Sequence, residues 1–531
     1  MAKKRSPKDI KNIWMLTREY EGLAGVGGVK DVSRQLAESL ARIGKSVTVV
    51  LPCYGFMDPE KLHFKRHALS FEVDMNYTAE DRREGVLLWH AKLAGVNIYL
   101  VDAERYREKL GVYTYTAKEE ANDPSHFEGS SHFDYFAMNI LLQKAALDMM
   151  ILLDEKPDII HCQDAHTAIL PALLQEAGVY RHYFRKTGSI VTIHNAGHGH
   201  HQEVGDLPFA RAICGLQYNV IYNNLLNGKF DPFLVASPFA VLNTVSENYA
   251  RELRETDDDA LTGWLGHRLM ARGVRLEGIT NGFNPADFDT TKPKKLGLPA
   301  GYDPMKKDLA GKLVCKKSLV KKLAKQRITG VRRSGSLDYH PEQPLFTMIG
   351  RLMGQKGVDI LITALEKLLV ADKKFQVLIL GSGVKELEQA LIRLVKKREN
   401  KGRICLLNGY DPALASRIYA AGDFFLIPSR YEPCGLTDYI AQLAGSLPIV
   451  HHVGGLVKVE DGVTGFAFTD YSADALAGVM LRGMRVFRET PAKIRKMQVA
   501  AVKRIHEKYT WDKVVHRYLD LYAKALDMSQ Q

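Results

Sequence analysis

Apolar residues along this chain fall into short runs of about four to eight, separated by segments in which they recur every third or fourth position. That alternation predicts an α/β protein. Residues 11–17 form the first run and predict a strand. A glycine-rich loop follows at 22–28, then helical periodicity over 29–44 through Val32, Leu36, Leu40 and Ile43, then a second strand over 47–52. A strand–helix–strand opening is the signature of a doubly wound parallel sheet. Further strands are predicted at 96–102, 158–166, 189–195 and 240–246, with a helix over 137–153. Three of these runs end on His166, His194 and Ser246. Each alone is a capping or core residue; three at the carboxyl edge of one sheet favour a ligand crevice.

Residues 286–343 break the pattern, being irregular, polar and basic, and read as an interdomain region. A second alternation starts at 346–351, with a helix from Val358 and strands at 375–380, 404–410, 423–428 and 447–450. The expected architecture is therefore two Rossmann-like, doubly wound domains facing across a cleft, over residues 1–285 and 286–508. Residues 509–531, periodic from Trp511 to Leu526, predict a final helix crossing back to the first domain.

Composition narrows the class. With 531 residues, 46% hydrophobic and 25% charged, the chain has the balance of a soluble globular enzyme, which excludes disordered and fibrous classes. The longest candidate membrane span, 135–153, is interrupted by Gln143, Lys144 and Asp148, so no membrane partner is expected. The basic N-terminus has no apolar region behind it, so no secretory leader is expected. Cysteines 53, 162, 214, 315, 405 and 434 show neither CxxC pairs nor metal-ligand spacing, which predicts reduced thiols, a cytoplasmic location and no metal site. The net charge of +12 is concentrated between 305 and 333, where eleven Lys and Arg (306, 307, 312, 316, 317, 321, 322, 325, 327, 332, 333) face Asp308 alone. Helical spacing there, with Leu313, Leu319, Val320 and Leu323 as an apolar stripe, predicts one solvated basic face. With no aromatic residue to stack bases, a nucleic-acid partner is not expected.

Two loops carry chemistry. The run Gly25-Val26-Gly27-Gly28-Val29-Lys30 lacks the third glycine of a dinucleotide fingerprint, and the next strand ends Leu51-Pro52-Cys53 with no acid for a ribose. That excludes a nicotinamide or flavin cofactor and leaves a loop able to hold a phosphate. The second is Ser429-Arg430-Tyr431-Glu432-Pro433-Cys434-Gly435-Leu436-Thr437-Asp438, just past a strand's carboxyl end. Glu432 sits where open sheets bind ligands, Gly435 lets a ligand approach the backbone, and the amides from Cys434 to Thr437 open the next helix.

Together with Gly350-Arg351-Leu352, Gln355-Lys356-Gly357, Gln163-Asp164-Ala165-His166, Thr192-Ile193-His194-Asn195, Thr280-Asn281-Gly282, Val453-Gly454-Gly455-Leu456 and Tyr509-Thr510-Trp511, this stretch resembles the bacterial glycogen synthase and plant starch synthase family. These are retaining glycosyltransferases of GT-B fold, and the resemblance covers nearly the whole chain. It implies that Arg351 and Lys356 hold the diphosphate of ADP-glucose, that Glu432 binds the transferred glucose, and that Cys434, Gly435, Leu436 and Thr437 supply nearby donor contacts. It places His166 near the reacting carbon, His194 and Asn281 in the same site, Tyr410 under the adenine, and Gly27, Gly28 and Asp31 in the first domain's wall. The partners implied are ADP-glucose, a substrate and not a cofactor, and a glycogen or maltooligosaccharide acceptor. Two fixed cations on the diphosphate act where leaving-group charge develops, in the place a metal would otherwise take.

The chain departs from the family at three places. The Lys-Thr-Gly-Gly-Leu loop is here Gly25-Val26-Gly27-Gly28-Val29, His-Asp-Trp-His is Gln163-Asp164-Ala165-His166, and the usual Gln after the Glu-Pro-Cys-Gly-Leu-Thr run is Asp438. The expected function is glucose transfer to the non-reducing end of an α-1,4-glucan with retention. The alternatives are another retaining sugar-nucleotide transferase with a different acceptor, or a catalytically weak glucan-binding homologue.

Overall fold

The computed structural model describes residues 6–306, 308–325 and 328–529; Lys307 and Arg327 of the basic segment, and the first five residues, on which the leader reading bears, lie outside them. The chain forms two units, Met1–Gly282 with Trp511–Gln531, and Phe283–Thr510.

Parallel strands covered on both faces are near-continuous apolar runs, and the central strands of the first unit largely are, with buried polar residues such as His161, Gln163 and Thr192 among them. Its strands are β1 (Asn12–Leu16), β2 (Ser46–Pro52), β3 (Lys65–Asp74), β4 (Arg83–Leu93), β5 (Val96–Asp102), β6 (Ile159–Gln163), β7 (Gly188–Ile193), β8 (Leu225–Leu226), β9 (Lys229–Phe230), β10 (Val241–Thr244) and β11 (Glu277–Gly278). The main sheet runs β11-β10-β7-β6-β1-β2-β5-β4-β3, and β8 and β9 pair separately. From β11 to β5 every pairing is parallel, with Ile13 against Val47 on one side and Ile159 on the other. The antiparallel extension β4-β3 is a feature that the apolar runs did not reveal. Its strands alternate exposed and covered positions, as a sheet wet on one face does.

The second unit contains β12 (Val331–Gly335), β13 (Leu345–Ile349), β14 (Gln376–Gly381), β15 (Ile404–Gly409), β16 (Phe424–Ile427), β17 (Leu447–His451) and β18 (Phe466–Phe468). Their order is β12-β15-β14-β13-β16-β17-β18, parallel except for β12 against β15. In each sheet the winding reverses once beside the first parallel strand, between β1 and β6 and between β13 and β16. Loops leaving the carboxyl ends of those strands splay apart and open a crevice. The segments concerned are residues 17–28 and 164–168 in the first unit and 350–357 and 428–437 in the second.

The helix Trp511–Met528 belongs to the first unit and lies on β7. Trp511 Nε1 donates to Gln35 Oε1 (2.7 Å) and the Tyr522 hydroxyl meets His161 Nδ1 (3.0 Å). Contact is so close that a Cβ on Gly188 would lie 2.7 Å from the Ala525 carbonyl carbon. The helix Tyr135–Leu152 is apolar and long enough to cross a membrane by length and composition, yet 72% of its window is buried inside this unit. An all-round apolar helix of that kind is also what a large core contains.

The basic segment corrects the expectation of one solvated face. In the helix Ala310–Lys325, Lys312 and Lys316 are buried, whereas Leu313 is exposed. Lys312 Nζ donates to the carbonyls of Ala420 (3.0 Å) and Ala444 (2.9 Å), and Lys316 Nζ pairs with Asp423 (2.9 Å). Burial lowers Lys312 to about 8, with Asp423 only partly opposing it. The unfolded chain, titrating near 10.5, therefore binds more protons between these values, and stability from this residue rises with pH across that window. Relative to Lys312→Met, wild type should gain about 1–3 kcal/mol between pH 8 and 10.5 in chemical denaturation. A difference that stays constant with pH would contradict the burial.

Candidate active site

In the second unit, Gly357 locks the loop after β13 against the end of β16. Its φ is +72° and a Cβ there would lie 1.9 Å from the Pro428 carbonyl oxygen, so no other residue fits. Arg430 N–H donates to the Gln355 carbonyl (2.9 Å), tying the two loops together. Lys356 and Glu432 are thereby brought face to face, with Nζ 2.6 Å from Oε2, and Ser429 Oγ donates to the same oxygen at 3.0 Å. Burial pushes the Glu432 carboxyl up, but Lys356, Ser429 and Lys458 outweigh it and hold it below the usual range. Arg351 stands exposed on the same β13 loop and makes no ion pair among the described residues. Gly455 N–H donates to the Glu432 carbonyl (3.0 Å), bringing the loop after β17 against the same stretch. Cys434, Gly435 and Leu436 lead into the short helix Thr437–Leu443. Beneath them Asp438 is buried against Lys458 (3.1 Å). Tyr410 is exposed just past β15.

In the first unit, His166 is buried after β6 and stacks on Tyr113, ring centres 4.7 Å apart. Burial, and then the Arg18 cation, keep its ring well below the ordinary histidine range, hence neutral. Tyr113 OH donates to Glu19 Oε1 (2.7 Å), and Glu19 Oε2 accepts from the amides of Val26 (2.6 Å) and Gly27 (3.0 Å). The Gly27 amide expected to offer an anion site is thus already engaged by a carboxylate. Gly28 starts the helix Gly28–Arg42, and Asp31, in its first turn, pairs with Lys30 (3.2 Å). Lys30 Nζ also bonds Glu21, and its stem covers Gly25, where a Cβ would lie 2.5 Å from Lys30 Cδ. Asp164, preceding His166, has φ 64°, a conformation costing about 1–3 kcal/mol in a non-glycine residue and found where function holds it. Burial raises its carboxyl to about 7 against the pull of the Ala165, His194 and Asn195 amides.

His194 is drawn into a buried ladder. Its Nε2 meets Gln163 Oε1 (2.7 Å), Gln163 meets His161 Nε2 (3.2 Å), and His161 meets Thr192 (2.7 Å). Ser246 caps the helix Glu247–Glu255, accepting from Tyr249 N–H (3.1 Å). Asn281 is buried in the turn after β11. The structure thus gathers Arg351, Lys356, Glu432 and Cys434–Thr437 at one switch point, and Gly27, Gly28, Asp31 and His166 near the other. Glu19, Tyr113, Arg18 and Lys458 were not singled out from sequence, because none lies in a recognisable run. Among the described residues no group of three or more His, Cys, Asp or Glu is placed to hold a metal ion.

The class follows from the two units. Residues 12–267 match the starch synthase catalytic domain and residues 335–486 match the glycosyl transferases of group 1, which makes the chain a two-Rossmann, GT-B glycosyltransferase. Glycogen synthases of Aeromonas hydrophila and Aeromonas salmonicida are 32% and 31% identical to it over 97% of this chain and 98% of theirs. Glycogen synthase 1 of Geobacter sulfurreducens is 32% identical over 97% of this chain and 96% of its own. The chain belongs to the glycogen synthase and starch synthase family. The catalytic domain of starch synthase IV from Arabidopsis thaliana, solved with ADP and acarbose, superposes with a TM-score of 0.79 at 24% identity, over 98% of this chain and all of that one. Sucrose-phosphate synthase from Thermosynechococcus elongatus shares the fold more distantly, with a TM-score of 0.56.

Proposed function

We propose that this enzyme transfers glucose from ADP-glucose to the non-reducing end of an α-1,4-glucan with retention, without a cofactor, in the cytoplasm. The observation that carries the reading is the Lys356–Glu432 pair at 2.6 Å on the switch-point loops, with Arg351 uncommitted on the same loop as Lys356. Without substrate the lysine neutralises the glutamate. A bound diphosphate competes for Lys356, and Glu432, released, accepts hydrogen bonds from the glucose hydroxyls. Arg351 grips two phosphate oxygens in a plane, Lys356 adds a point charge, and both act as the leaving group gains charge. His166, held neutral in the first unit, adds no competing cation. Leaving group and acceptor share one face: among the described residues of the second unit's switch-point loops, Glu432 is paired with Lys356 rather than free to act as a double-displacement nucleophile. Six buried free cysteines suit a reducing compartment, and the Arabidopsis relative solved with ADP supports an adenine nucleotide.

The test is nucleotide release from ADP-, UDP- and GDP-glucose with and without glycogen. Acceptor-dependent ADP release is expected; a wild type that transfers glucose from no nucleotide to any glucan would defeat the reading. The missing loop lysine sharpens it. Gly25 lies outside the left-handed region, so its backbone accepts a side chain, but the space is filled by Lys30. Gly25→Lys alone should therefore bring no gain. Gly25→Lys with Lys30→Ala should lower the donor KM about threefold to tenfold, as one charge-assisted contact would. An unchanged KM in the double variant would show that no cation is wanted there.

A further inference from the structure

One cation ties down the stretch that follows Glu432. Lys458, on the turn Gly454–Lys458, is buried, and its Nζ donates to the carbonyls of Cys434 (2.6 Å), Gly435 (2.8 Å) and Gly455 (3.1 Å). It lies 3.1 Å from Asp438 Oδ1 and 4.6 Å from the centre of the Tyr439 ring. A trans peptide is planar, so each N–H points opposite to the carbonyl before it. With the Cys434 and Gly435 carbonyls drawn onto Lys458, the N–H groups of Gly435 and Leu436 turn to the other side. There the loop is partly exposed, and no protein acceptor meets either amide among the described residues. No neutral side chain offers three donors on one atom, as the lysine ammonium does, and the ammonium's charge-assisted bonds are roughly twice as strong as neutral ones. Asp438 supplies the counter-charge that lets a lysine stay ionised when buried.

We propose that Lys458 is a positioning residue for the donor, aiming the Gly435 and Leu436 amides at the diphosphate with Asp438 as its counter-ion. This rests on the donor-site reading above. The pair also accounts for Asp438 standing where the family has a neutral glutamine: the acid is the partner of this lysine.

The test compares full-length wild type, Lys458→Met, Lys458→Gln and the double variant Lys458→Met/Asp438→Asn, by calorimetric ADP affinity, kcat and KM for ADP-glucose, and melting temperature. Lys458→Met strands a buried carboxylate and should melt lower; the double variant removes both charges and should regain most of that loss. If Lys458 aims the amides, ADP affinity stays at least about tenfold weaker in the double variant, with the loss mainly in donor KM, and Lys458→Gln, which keeps a neutral donor, loses about threefold or more. ADP affinity returning to the wild-type value together with the melting temperature would make the lysine merely structural and overturn the inference, as would unchanged ADP affinity in Lys458→Gln. A wild type that neither binds ADP nor transfers glucose removes the donor site itself. A wild type that does both, beside a folded variant with unchanged affinity, removes only the role of Lys458.

Discussion

Replacing Lys356 with alanine is expected to lower turnover by about two to three orders of magnitude, the loss typical when one preorganised group facing developing charge is removed. The side chain has two partners in sequence. In the free protein it holds Glu432 at 2.6 Å, and in the proposed reaction it faces the diphosphate. Its loss leaves Glu432 held by Ser429 (3.0 Å) and by the more distant charge of Lys458. The carboxyl, kept below its ordinary range mainly by Lys356 against the opposing effect of burial, should then titrate higher. In wild type this group contributes stability that is fully present above its unfolded value and is lost as pH falls through the lower folded one. Lys356→Ala should therefore melt lower at neutral pH and lose less on acidification. Arg351→Ala should cut turnover comparably with little change in melting, since the exposed guanidinium supports no ion pair among the described residues. Near wild-type rates in both variants, with every donor, would place the site elsewhere.

Glu432→Gln is expected to separate binding from chemistry. The amide keeps the shape but loses the charge that accepts sugar hydroxyls most strongly as the glucose becomes cationic, so kcat should fall about a hundredfold. ADP affinity should change by less than about threefold or tighten, because Lys356 is no longer held by a carboxylate and is free for phosphate. Steady-state transfer beside calorimetric titration with ADP measures both. An unchanged transfer rate would remove Glu432 from the reaction; a large loss of ADP affinity with kcat intact would make it a nucleotide ligand.

Legibility in the sequence followed the range of the interaction. The strands at both switch points are largely apolar runs, so local pattern placed Glu432 just past a strand's end, while Arg351 and Lys356 came with the motifs that carry the family resemblance. Glu19 and Tyr113 escaped notice because the bond joining them spans 94 positions, and Lys458 because two of the carbonyls it holds, those of Cys434 and Gly435, lie 24 and 23 residues earlier. Neither pairing leaves a periodic trace. The basic helix misled for a different reason. The covered stripe through Leu319, Val320 and Leu323 continues backward, at helical spacing, onto Lys316 and Lys312, not onto Leu313. Lysines can occupy core-facing positions when carbonyls and an acid wait at the tip, and residue type alone does not announce that.

The helix Trp511–Met528 has a consequence for synthesis. Domains generally fold as units while the ribosome extends the chain, the N-terminal one first. Here the first unit cannot bury Trp511, Tyr518 and Tyr522, or cover the surface of β7, until the whole of Phe283–Thr510 has been made. The second unit, continuous in sequence, is the one able to finish first. The nascent first unit waits meanwhile with an apolar face open, and chaperone demand during translation should concentrate there.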